Sequence, residues 1–212
     1  MNRIISCGLP VLLLLYLFLL AGGAAIHESP TVDEFTHIGA GLSYWQKMDL
    51  RLNAEHPPLG KLIAAVPLVL RGTHADYEGA AWKESESLFS AYTAQWMFGD
   101  AVLGRWNPWR TTVNWARFPM LLLAVLLGWV IYVYGTRLGG WAGGLLCLAL
   151  YVSSPIFLAT GPLVLTDIPV TLFSVVALWQ LAEAWVSPSS RNSVLLGLAV
   201  AGAALSKFNG LI

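Results

Sequence analysis

Charge is scarce in this sequence: only 11% of its 212 residues are Asp, Glu, Lys or Arg, against roughly 25% in soluble domains. Cysteine is scarcer still, with Cys7 and Cys147 the two present. Both lie in apolar stretches, so no disulfide framework organises the chain and cysteine gives no reading of its redox compartment. Neither sign of charge is in excess, since the formal net charge is zero. Without a basic surplus the chain offers nothing to a nucleic-acid backbone, and nucleic acid is excluded as an expected partner. Internal repeats and low-complexity tracts are also missing. What is abundant is apolar surface: 57% of the residues are hydrophobic and ten are Trp. Water is not the main solvent of this protein.

Residues 4–26 contain no charge, and about 20 apolar residues suffice to cross the hydrocarbon core. Arg3 followed by this run and by small residues up to Ala25 also fits a cleaved signal peptide. Further apolar runs make the chain a membrane protein under either reading. Expected spans are 1–26, 118–136 (bounded by Arg117 and Arg137), 138–160, 163–185 and 194–212. The chain closes on Leu211 and Ile212 without a polar tail, which reads as the N-terminal part of a longer protein. Gly139, Gly140, Gly143 and Gly144 put small residues at four-residue spacing, which permits close helix contact. The fold class expected is an all-α polytopic membrane protein.

Eighteen of the 24 charged residues and all four histidines fall between His27 and Arg117, so residues 27–117 form one large polar loop after the first span. Arg3, Arg137 and Arg191 occupy the other side of the membrane, which the positive-inside rule makes cytoplasmic. The loop then lies outside the cytoplasm, with the turn before Asp167 on its side. Within it, Gly60 to Leu70 is apolar but too short to span, and Tyr77 to Trp115 mixes Trp82, Trp96, Trp106, Trp109 and Trp115 with charges. Such stretches suggest helices lying on the membrane surface.

Two constellations in the loop carry chemical groups. Asp33, Glu34 and His37 follow Pro30 and Thr31, a helix start. In a helix, Asp33 and His37 lie one turn apart on one face, where a carboxylate beside a second acid is suited to general-base work. The same acids in a first turn also simply favour the helix dipole. The second constellation is Asn53, Glu55, His56, Pro57, Pro58, Leu59, Gly60 and Lys61. Its two prolines fix a turn that aims His56 and Lys61 at a phosphate, or Glu55 and His56 at a divalent metal, or that merely leads into an interfacial helix. Arg117 reads either as a snorkelling anchor or as a partner for an anionic head group. Asp167, an ionisable residue in an apolar span, is a functional candidate with Arg117 or Lys61 as its expected partner.

Taken in order, Asp33-Glu34, His37, Gly39, Tyr44 and His56-Pro57-Pro58-Leu59-Gly60-Lys61 resemble the protein O-mannosyltransferase family and the related aminoarabinose transferases of lipid A. Arg117, Tyr132, Arg137-Leu138-Gly139 and Thr166-Asp167 extend the likeness, over roughly residues 27–175. The resemblance implies a GT-C-type helical bundle and an inverting glycosyltransferase in a bacterial inner membrane. Its donor would be a polyprenyl-phosphate-linked sugar held in the membrane lipid, and its acceptor a hydroxyl on protein, lipid or glycan. The absence of a phosphate-cradling glycine loop agrees with a lipid-linked donor. Asp33 would be the catalytic base with Glu34 assisting, and His37, His56, Lys61, Arg117 and Asp167 would bind donor phosphate or substrate. The aminoarabinose branch would add a metal on a carboxylate and a histidine, here Glu55 and His56. Where the mannosyltransferases carry an Arg-Tyr pair before the helix-four Asp, this chain has Gly161-Pro162-Leu163, so mannose and other hexoses or pentoses all stay open. A transporter module, motivated by Asp167, and a non-catalytic membrane subunit are the competing readings.

Overall fold

A computed structural model describes residues 3–86 and 88–211, with side chains from Gly8 onward except those of 86–90 and 211. The side chain of Cys7 and the end of the chain at Ile212 lie outside the described residues. Nine α-helices follow in order among them: α1 (Arg3–Ala25), α2 (Val32–Lys47), α3 (Leu59–Leu70), α4 (Ala80–Lys83), α5 (Leu88–Asp100), α6 (Trp109–Ser153), α7 (Pro155–Thr160), α8 (Asp167–Val186) and α9 (Ser190–Ser206). No strand occurs among the described residues. Three helices are long and apolar enough to cross a membrane, over Gly8–Ala25, Trp109–Ser153 and Asp167–Val186. The protein is an all-α polytopic membrane protein.

At 45 residues, α6 would measure roughly 68 Å if straight, more than twice the hydrocarbon thickness of about 30 Å. It is not straight. Gly139 (φ −127°, ψ 18°) and Gly140 (φ 67°, ψ −172°) leave helical geometry, and the positive φ of Gly140 is a conformation that glycine adopts without steric cost. The chain folds back there into a helical hairpin of arms 109–138 and 141–153. Tyr151 Oη donates to the Ala124 carbonyl across the arms at 2.8 Å. Gly144 lies so close to Thr136 and the Tyr132 carbonyl that a methyl group would overlap them. The glycine cluster therefore supplies both the turn and the close contact.

Helix boundaries differ from the expected spans where polar contacts intervene. The second arm stops at Ser153, and Pro155 opens α7 after an extended Ser154. Residues 161–166 form a turn, so α8 begins at Asp167 and not at 163. α9 begins at Ser190, capped by Ser189 Oγ accepting from the Asn192 N–H, and ends at Ser206. Lys207 leaves the helix and reaches Asp167, which cuts short the run expected to continue to 212.

The polar loop is not a separate domain. α2 passes against α3 where Gly41 meets the Lys61 carbonyl, and against α5 where Gly99 meets the Phe35 carbonyl. The resulting core of Ile38, Leu42, Leu52, Phe98 and Val102 continues into Val113 and Met120 of α6. Trp82, expected at a membrane surface, is buried in this core beside Tyr77 and Phe98. A second core, with Leu17, Leu121, Leu127, Leu148 and Leu172, joins α1, both arms of α6 and α8.

Candidate active site

Glu34 is in the first turn of α2, and its carboxylate reaches back to the Thr31 N–H at 2.8 Å. That bond satisfies an amide the helix leaves without a partner. The same carboxylate meets Arg117 of α6 in a two-pronged ion pair, from Nε to Oε1 at 2.8 Å and from Nη2 to Oε2 at 2.6 Å. Arg117 is 2% exposed and Glu34 fully buried. The remaining guanidinium N–H groups donate to the carbonyls of Ala25, Glu28 and Ser29. All five donors of the arginine are thereby engaged. The Val164 N–H adds a further bond to Glu34 Oε1 at 3.1 Å. This clamp ties the end of α1, the start of α2, the shaft of α6 and the turn before α8 into one unit. Burial pushes the Glu34 carboxyl up, but Arg117 and the Thr31 and Val164 N–H groups outweigh it and hold the group below the usual carboxylate range.

Asp33, the adjacent residue, has the opposite surroundings. It is exposed, and among the described residues its carboxylate accepts no hydrogen bond and joins no ion pair. One turn along α2, His37 is buried with Nδ1 2.7 Å from the Val164 carbonyl oxygen. Burial lowers the proton affinity of His37, and Lys61 and His56 add to this, against the Val164 carbonyl and Asp33. Val164 thus serves two groups, Glu34 through its N–H and His37 through its carbonyl, three residues before Asp167 opens α8.

The His-Pro-Pro turn closes over a second buried cation. Lys61, 1% exposed, shares the three N–H groups of its Nζ among the Asn53 carbonyl at 2.7 Å, Asn53 Oδ1 at 3.0 Å, the His56 carbonyl at 2.7 Å and Tyr44 Oη at 2.9 Å. Among the described residues no carboxylate pairs with it. Burial brings its ammonium down to about 7, opposed by the charge of Glu55. Asn53 sits at φ 52°, a left-handed conformation that asparagine tolerates better than most residues. Its amide also donates to Glu55 Oε1 and Gln95 Oε1.

The structure therefore brings Asp33, Glu34, His37, His56 and Lys61 into one neighbourhood, His37 and His56 meeting edge to face with ring centres 5.2 Å apart. Arg117 and Lys61 turn inward, with their N–H groups on internal oxygens. Glu55 accepts from the amides of Asn53 and Gln95, and no group of three or more metal-binding side chains stands among the described residues. Asp167 does not pair with Arg117 or Lys61 as expected. Its partner is Lys207, at 2.8 Å and largely exposed, because α9 returns the chain to the head of α8. Gln95 and the backbone of Val164 escaped the sequence reading. Neither carries a local signal, for each acts across 40 or more positions, Gln95 on Glu55 and Val164 on Glu34 and His37.

Among curated proteins and solved structures, nothing matches the chain. Residues 111–212 match the family model described as dolichyl-phosphate-mannose-protein mannosyltransferase. The matched stretch holds Arg117, the α6 hairpin and Asp167, and stops short of Asp33 through Lys61. On that match, residues 111–212, just under half of the chain, are similar to a mannosyltransferase family.

Proposed function

We propose that this protein transfers a sugar from a polyprenyl-phosphate carrier to a hydroxyl acceptor, at the face of the membrane that bears residues 27–108. The observation that carries the reading is the division between two adjacent acids. Glu34 is locked into the clamp and has no lone pair to offer a substrate, whereas Asp33 is presented to solvent on the helix that the clamp fixes. A carboxylate held in place but uncommitted suits a general base. In the reaction Asp33 takes the proton of the acceptor hydroxyl while its oxygen bonds to the anomeric carbon from the side opposite the phosphate. The carbon–phosphate-oxygen bond breaks, its electrons leave on the lipid phosphate, and the anomeric configuration inverts.

Two further features support a lipid-linked donor. An apolar groove of about 300 Å³ runs between α1 and α6, lined by Phe18, Leu19, Ile26, Phe118 and Leu121, and ends at Arg117. It offers an isoprenoid chain a path toward the loop. Lys207 keeps N–H groups beyond the one it gives Asp167, so it replaces Arg117 and Lys61 as our cation for the leaving phosphate. Arg117 and Glu34 position the base, and Lys61 fixes the turn that carries His56. The positive-inside rule puts this face outside the cytoplasm, and the resemblance to the mannosyltransferases makes a bacterial inner membrane our choice of location. Sugar choices are mannose or another hexose or pentose.

The test uses membranes carrying the full chain, purified polyprenyl-phosphate sugars and endogenous acceptors. Asp33→Asn is expected to lose transfer by about 10²–10⁴-fold while its thermal stability stays at the wild-type value. An Asp33→Asn protein that transfers at the wild-type rate removes Asp33 from the role.

A further inference from the structure

Among the described residues, one buried side-chain nitrogen or oxygen has no hydrogen-bond partner: Nε2 of His37. The ring is 3% exposed, and its tautomer follows from its other nitrogen. Nδ1 faces the Val164 carbonyl oxygen at 2.7 Å. That oxygen only accepts, so Nδ1 carries the hydrogen and Nε2 presents a bare lone pair. Buried polar atoms are almost always paired, and an exception calls for a use. Packing alone gives none, since an apolar side chain would fill the same place without an orphaned acceptor.

The surroundings select the chemistry of what would pair with it. Burial and the neighbouring Lys61 and His56 keep the ring neutral against the pull of Asp33. A neutral imidazole whose only N–H is taken repels a phosphate oxygen and requires a donor. His56 packs edge to face on His37 and also lines a cavity of about 260 Å³ with Tyr44, Pro57, Pro58 and Leu205. The half-buried His56 ring thus stands between that cavity and the His37 ring. Asp33 stands one turn away on the same helix face. We propose that Nε2 of His37 is a hydrogen-bond acceptor for a hydroxyl group of a carbohydrate or of its acceptor, reached past His56, and not a phosphate ligand. The identity of that hydroxyl rests on the glycosyl-transfer reading; the acceptor site itself does not.

The experiment is nitrogen NMR of the full chain labelled with ¹⁵N-histidine in detergent, the His37 signals being those lost in His37→Gln. In the free protein Nδ1 is expected to be protonated and Nε2 not. Addition of methyl mannoside shifts the Nε2 resonance if the donor sugar supplies the hydroxyl, and a threonine-containing peptide shifts it if the acceptor does. Inorganic phosphate leaves it in place. A shift with phosphate alone, no shift with any of the three, or a protonated Nε2 in the free protein overturns the proposal. In transfer assays His37→Gln, whose amide can both donate to Val164 and accept, raises the KM of the responding substrate less than His37→Leu does, at similar thermal stability. Equal KM for the two variants also overturns it. If the resonance moves but no transfer occurs from any donor, the glycosyl-transfer reading fails while the hydroxyl site stands.

Discussion

Two buried cations, Arg117 at the junction of the helices and Lys61 under the His-Pro-Pro turn, are enclosed in different ways. Arg117 has a carboxylate partner and three carbonyls for five N–H groups. Lys61 has only neutral oxygens, from Asn53, His56 and Tyr44. The first enclosure neutralises charge as well as satisfying donors. The second satisfies donors and leaves the charge in a poorly solvating place, so the ammonium loses its proton more readily. A basic residue in a loop suspected of binding phosphate is therefore not by itself a phosphate ligand. What decides is whether its donors are already taken.

The greatest expected effect is at the first enclosure. Arg117→Met leaves Glu34 buried and uncompensated, and thermal or denaturant unfolding in detergent should register a loss of about 3–5 kcal/mol. Arg117→Lys should not restore it, because an ammonium cannot reproduce the two-pronged pairing. Lys61→Met should cost less, about 1–3 kcal/mol, and its cost should depend on pH. The native amine releases its proton near 7 and the unfolded one near 10.5, so between those values the unfolded chain binds more protons and stability rises with pH. Wild type should gain on Lys61→Met as pH goes from 7 to 10; a constant difference would contradict the lowered affinity. The clamp behaves in the same sense but in another range. Glu34 titrates below its ordinary value of 4.5, so the contribution of the clamp is complete above that pH and fades as acid protonates the carboxylate. The smallest effect belongs to the exposed pair. Lys207→Ala should change stability by at most about 1 kcal/mol, less in high salt. Its signature should be a lowered kcat, as for a group that stabilises the departing phosphate, and unaltered kcat and kcat/KM would remove Lys207 from the phosphate site.

Much of the helical framework was legible because continuous apolar runs and a break at Arg137-Leu138-Gly139-Gly140 are local signals. The neighbourhood of Asp33 and His56 was also legible, as residue order. What was not legible is which side chain faces which. Asp33 and Glu34 are neighbours in sequence, yet consecutive helical residues point about 100° apart, and only the packing of α2 on α6 decides which turns inward. Glu34 meets Arg117 across 83 positions and Asp167 meets Lys207 across 40, separations that spacing rules do not cover. The end of α9 was not legible either, since Lys207 leaves the helix and pairs with a residue on another one. The family match adds a further asymmetry: it falls on residues 111–212, the scaffold and one wall of the clamp, while the acid pair lies before it.

The bend at Gly139 and Gly140 fixes a parity. A chain that reverses within two residues comes back to the side of the bilayer it left, so residues 154–166 and residues 27–108 share one compartment whichever way the whole protein is inserted. That shared side is what lets Val164 meet both Glu34 and His37. A spacer or reporter inserted at the bend would separate two arms whose contact at Gly144 leaves no slack. The hairpin is thus a reading-frame for topology: its evenness, more than any single ion pair, keeps the acid-bearing loop and the head of α8 on one side of the membrane.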